Sequence, residues 1–146
     1  MSDKIELPGP AMKFVPHRQS MLLINRLLAR DKGAGTARAE VITPVDGLFV
    51  LGQGLAPEYF IELIAQTAAA ATGYDALDSS APPSKGFLVG VDEFSWPGQV
   101  TAGEILLVDI CKTFAFGQVS IMEGWVRDSQ GRDVALGKVR VWEESN

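Results

Sequence analysis

Few side chains in this sequence could carry chemistry. Its only histidine is His17, in the run Pro16-His17-Arg18, and its only cysteine is Cys111. Glu62 lies within residues 56–73 (APEYFIELIAQTAAAATG), a segment otherwise apolar and rich in alanine. As a helix, that segment places Glu62 in its second turn, too deep for an N-terminal cap to account for it. A carboxylate there has two readings. It faces water along a stripe with Glu58 and Gln66, which recur at four-residue spacing, or it sits in a low-dielectric pocket where it can exchange protons. A histidine and a carboxyl group can share acid–base work, one removing a proton while the other supplies one. Gln66 reads either as an orienting hydrogen-bond partner or as a helix-surface residue. Cys111 falls mid-strand with no histidine near it in sequence, and reads as a buried structural thiol. One Cys and one His do not make the usual zinc ligand set, and no cofactor is expected.

Other elements must bring these residues together. Pro57 suits the first turn of a helix, where its missing N–H costs nothing, and Gly73 suits the C-terminal stop. Ala65 and the run Ala68 to Ala71 give the rod small side chains that other elements can approach closely. Ahead of it come an N-terminal arm over about residues 1–15, a helical turn at 20–23, a strand opening over 24–30, and a turn at Asp31-Lys32-Gly33. A half-buried strand is expected over 36–43, where Ala37, Ala39 and Val41 alternate with Arg38 and Glu40. Residues 44–56 read as a loop rich in Gly and Pro. Past the helix, 78–84 (DSSAPPS) is a surface connection, and strands follow at 86–94, 104–116, 118–127 and 134–142. Consecutive strands with short connections pair antiparallel. The expected class is α+β, an antiparallel sheet curled around one helix, with a second subunit covering what the helix leaves open.

The bulk numbers agree with a single globular domain of 146 residues, 47% hydrophobic and 21% charged. A net charge of −5 argues against non-specific nucleic-acid binding. The N-terminus, MSDKIELPGP, is polar and broken by Pro, so it does not read as a signal peptide, and no apolar run reaches transmembrane length. A cytoplasmic protein without membrane contact is expected. Trp96, Trp125 and Trp142 are expected in the core or at a subunit interface.

Three segments, taken in order, resemble the bacterial β-hydroxyacyl-(acyl carrier protein) dehydratases of fatty-acid synthesis, which have the hotdog fold. Pro16-His17-Arg18 followed by Met21-Leu22-Leu23-Ile24-Asn25-Arg26 resembles their PHR…LLVDRV segment. Ile61-Glu62-Leu63-Ile64-Ala65-Gln66 resembles their central-helix motif of the E-A-M-A-Q type, and Gly86-Phe87-Leu88-Val89-Gly90 their following strand. Within that family the sequence is most similar to a divergent, dehydratase-like branch found in aryl-polyene pathways, in which IEYMAQ precedes an alanine-rich helix. Each motif alone is weak; their order and spacing over nearly the whole chain are fairly specific.

The resemblance implies a hotdog domain, its antiparallel sheet wrapped around one long central helix. It implies a substrate tunnel at a dimer interface, where backbone N–H groups near a helix N-terminus polarise a thioester carbonyl. Glu62 and His17 would be the catalytic pair, and Gln66, Gly86, Phe87, Leu88 and Gly90 would bind substrate. The implied partners are an acyl carrier protein or a coenzyme A thioester, and a second hotdog subunit, identical or related. One departure matters: the family's histidine in a G-H-F-P loop ahead of the helix has no counterpart in Gly47-Leu48-Phe49-Val50-Leu51-Gly52-Gln53-Gly54-Leu55. Three readings therefore stand: a dehydratase using His17 and Glu62, a thioesterase in which Glu62 activates water, and a non-catalytic subunit of a heterodimeric dehydratase.

Overall fold

The helix that carries Glu62 is the axis of the molecule. It runs over Pro57–Asp78 (α1), 22 residues, in a computed structural model that describes residues 5–15, 21–52, 54–80 and 85–144. Pro57 occupies the first turn as expected. Tyr59, Phe60, Leu63, Ile64, Gln66, Thr67, Ala68, Ala70 and Ala71 are buried along it. Such broad burial is what a wrapped helix requires, as opposed to one that merely lies on a sheet.

Gly73 does not stop the helix, which continues to Asp78. Its role is close approach. The backbone of Phe14 crosses α1 at this point, and a Cβ on residue 73 would run into the Phe14 carbonyl. Only glycine leaves room there. The crossing segment is tied to the body of the protein. Strand β1 (Gly9–Pro10) pairs with β2 (Arg26–Asp31), and a 3-10 turn at Ala11–Lys13 follows. Ala11, Phe14 and Val15 are buried in the core, and Phe14 meets Tyr74 edge-on at 5.8 Å between ring centroids. The region expected as an arm thus closes over one side of the helix from Gly9 onward.

Seven further strands complete the picture: β3 (Thr36–Ile42), the two-residue β4 (Val50–Leu51) and β5 (Gly54–Leu55), then β6 (Lys85–Ser95), β7 (Ile105–Phe116), β8 (Val119–Asp128) and β9 (Asp133–Glu144). Seven of the strands form one antiparallel sheet in the order β1-β2-β3-β7-β8-β9-β6. The expected alternation holds: Ala37, Ala39 and Val41 of β3 are buried, as are Leu106, Val108 and Ile110 of β7. Gly124 and Gly137 stand opposite each other in the β8–β9 register. A Cβ on Gly124 would press into Ile64 of α1, so the sheet meets the helix where it has no side chains. This is the hotdog arrangement. The loop over residues 44–56 contains a feature that its composition hid, the hairpin of β4 and β5, paired Val50 to Leu55 and Leu51 to Gly54.

One expectation about the outer face is corrected, and another is narrowed to its subunit-interface alternative. Cys111 is half-buried, because Ile110 beside it points inward and alternation turns the thiol outward. Trp96 and Trp142 are exposed in the isolated chain and Trp125 is half-buried, so none is a core residue of this chain. On the inner side, Arg30 of β2 makes a bidentate pair with Asp75 of α1, at 3.0 and 2.7 Å, with little of either side chain exposed. That pair joins the sheet to the C-terminal half of the helix.

Candidate active site

Glu62 lies half-buried on α1, neither on an open stripe nor sealed in the core. Its Oε1 accepts a hydrogen bond from the Gln66 amide, Nε2 to Oε1 3.2 Å. Gln66 is only 1% exposed, so it is not a helix-surface residue. The same amide makes two more bonds, both to the backbone of a distant segment. Its Oε1 accepts from the Leu23 N–H at 2.9 Å, and its Nε2 donates to the Met21 carbonyl at 2.7 Å. One buried side chain thus holds residues 21–23 against the helix, one turn from Glu62. A buried amide gains most when every donor and acceptor is engaged, as here.

Further bonds steady the segment from its other end. Asn25 Oδ1 accepts the Ile42 N–H at 2.7 Å, and the Asn25 N–H donates to the Glu40 carbonyl at 2.9 Å. Ile24 and Leu27 are buried beneath. Of the helical turn expected over 20–23, Met21 has 3-10 geometry and Ser20 lies outside the described residues, while residues 22–25 run without helical hydrogen bonding into β2. His17 itself lies outside the described residues.

The sequence-named residues of the following strand lie on the last strand of the sheet. Gly86, Phe87, Leu88 and Gly90 belong to β6, opposite Glu143, Trp142, Val141 and Arg140 of β9. A Cβ on Gly90 would crowd the Arg140 guanidinium at 2.8 Å. Strand β6 ends the sheet, so one side of it has no partner strand among the described residues. Leu88, Val89 and Val91 are exposed along it. No hydrogen bond joins these residues to Glu62 or Gln66 among the described residues.

Sequence reasoning missed Tyr59, one turn ahead of Glu62. It is fully buried, with its ring against Phe49 (5.5 Å between centroids) and Phe60 (5.6 Å). Its hydroxyl has no hydrogen-bond partner among the described residues. Burial pushes its pKa well above that of an ordinary phenol, so the group stays a neutral hydroxyl that keeps its proton to donate. The signal available was its spacing from Glu62, three positions, which puts both on adjoining helix faces. In the loop that lacks the family's histidine, Leu48 is 84% exposed, while Phe49 is half-buried over Tyr59. Among the described residues no cluster of His, Cys, Asp and Glu could hold a metal ion, and no helix is long and apolar enough to cross a membrane.

Residues 9–146 match a family model described as ApeP-like, ApeP dehydratase. The chain is 33% identical over 106 residues to the 3-hydroxyacyl-[acyl-carrier-protein] dehydratase FabZ of Staphylococcus saprophyticus, covering 67% of this chain and 68% of that protein. Among solved structures it is similar to the dehydratase heterocomplex ApeI:P from Xenorhabdus doucetiae, with a TM-score of 0.81 and 19% identity over 94% of this chain and 92% of that one. It is also similar to a hypothetical thioesterase protein with coenzyme A from Streptococcus pneumoniae, with a TM-score of 0.62 and 10% identity over 77% and 81% of the two chains. At these identities the structural likenesses speak for the fold.

Proposed function

Since this chain belongs to the ApeP-like dehydratase family, we propose that it removes water from a β-hydroxyacyl thioester carried on an acyl carrier protein, with His17 as base and Glu62 as acid. The observation that carries this reading is the Gln66 clamp. It fixes the segment that leads out of Pro16-His17-Arg18 against the helix turn that holds Glu62. Three residues lie between His17 and Met21, four steps of chain that span about 14 Å at full stretch. The reading requires the imidazole to meet a Glu62 carboxyl across that tether, in its own subunit or a partner's.

The chemistry balances. The neutral imidazole takes the acidic α-proton, the electrons pass into an enolate-like thioester, and the C–O bond to the β-hydroxyl breaks as the Glu62 carboxyl protonates it. Water and an α,β-unsaturated thioester leave. The imidazolium then returns its proton to the Glu62 carboxylate, and the pair is restored. With no histidine in residues 47–55, the base in this reading is His17, the only histidine in the sequence.

The test is hydration and dehydration of a short β-hydroxyacyl thioester by the purified chain, followed by enoyl-thioester absorbance. His17→Ala is expected to lower the rate by at least about a hundredfold, the scale of one general base. Glu62→Gln should abolish turnover and leave the thermal midpoint unchanged or raised, since a half-buried charge is removed. Full activity in either variant would sink the pair.

One further reading is favoured by a specific observation, the likeness to a subunit of a heterocomplex. In it the chain is a non-catalytic partner of a related hotdog dehydratase. That reading expects no turnover from the chain alone and a change in the partner's activity or stability on mixing.

A further inference from the structure

The orientation of the Gln66 amide is forced by its neighbours. The Leu23 N–H can bond only to the amide oxygen, and the Met21 carbonyl only to the amide nitrogen. Exchanging the two ends would set donor against donor and acceptor against acceptor within a group that is almost fully buried. The second amide proton is then left pointing at Oε1 of Glu62. From this arrangement we propose that Gln66 is a positioning residue that commits Oε1 of Glu62 and leaves Oε2 as the oxygen that exchanges protons with the substrate.

The argument is one of hydrogen-bond polarity. An oxygen that accepts an N–H bond behaves as the carbonyl-like oxygen of a carboxylic acid, because a proton placed there would face the donor. When Glu62 is protonated, its proton therefore sits on Oε2. When Glu62 is ionised, the same bond stabilises the anion and keeps the side chain from turning. Gln66 thus converts a freely rotating carboxyl into an acid with one working oxygen, and references that oxygen to the backbone at residues 21–23. It touches no reacting atom in this role, which replaces the substrate-binding role that the resemblance implied for it.

The inference rests on Glu62 being the working carboxyl, so its test needs one readout that does not depend on turnover. The side-chain amide protons of Gln66 give it, observed by NMR in the full-length protein. Glu62→Ala should shift one of the two resonances and leave the other nearly in place. In kinetics, Gln66→Met should lower kcat about tenfold to a hundredfold, the scale of a small misplacement, with KM within about twofold. Gln66→Met strips two buried backbone groups of their partner, so Gln66→Glu, which keeps an acceptor for the Leu23 N–H, serves as the second variant and should lower kcat in the same way.

The proposal is overturned if both Gln66 amide resonances ignore Glu62→Ala. It is equally overturned if either Gln66 variant raises KM while sparing kcat. An amide that senses Glu62 in a chain without turnover would overturn the dehydratase reading while supporting the placement of Oε1.

Discussion

A buried hydroxyl without a partner is costly, and Tyr59, one turn from Glu62, carries one that has none among the described residues. Leaving such a group unsatisfied costs about 1–3 kcal/mol. Removing it should therefore help the free protein: Tyr59→Phe is expected to raise the stability measured by urea unfolding by about 1 kcal/mol. A drop of that size would show that the hydroxyl has a partner in solution, such as a buried water. The pH dependence supplies a second check with a definite sign. Burial raises the phenol's pKa in the folded state above its unfolded value near 10. Above about pH 10 the unfolded chain releases a proton that the folded chain retains, so stability falls as pH rises, by about 1.4 kcal/mol per pH unit for this one group. The wild type should lose stability in that window more steeply than Tyr59→Phe, and parallel curves would argue against the burial described here.

At the level of elements, glycine is where sign and magnitude separate competing accounts. Were Gly73 only a helix residue, Gly73→Ala would stabilise α1 by about 1 kcal/mol through propensity. Because Phe14 crosses the helix there, the added methyl must displace a backbone carbonyl. We expect net destabilisation of about 1–3 kcal/mol, the usual range for overpacking, read as a lower urea midpoint. Faster amide exchange in the N-terminal segment should accompany it. An increase in stability would refute the crossing.

The same residue shows what the sequence could and could not convey. Period-two alternation at Ala37, Ala39 and Val41 announced a strand correctly, because each residue reports its own face. Gly73 carried two meanings, terminator or contact point, and only the position of Phe14, remote in sequence, decides between them. The β4–β5 hairpin was hidden for a related reason: two-residue strands leave no periodicity to read. Glu62 and Gln66 were legible as a pair on one helix. The reach of Gln66 to Met21 and Leu23 was not, since backbone partners leave no mark on side-chain identity. Helical spacing put Tyr59 near Glu62 but could not set it apart from any core aromatic, since sequence does not show whether a hydroxyl finds a partner.

For the molecule as a whole, the sheet ends in two different ways. At β1 the edge is two residues long and folded under the crossing segment, whereas β6 presents eleven residues with one side unpaired among those described. We expect β6 to pair with the same edge of a second hotdog subunit, making one sheet across the two. Light scattering at micromolar concentration should give the mass of a dimer, of this chain alone or with a related one. A monomer mass in both cases would remove the argument. Either kind of dimer is possible in principle because strand pairing uses main-chain groups that every sequence shares. That generality has a cost in the cell. A long edge bearing Leu88, Val89 and Val91 is a template for indiscriminate association until it is covered. If the natural cover is a different polypeptide, the two must be made together and in step, and overproduction of this chain by itself should yield clumped protein that co-expression of the partner rescues.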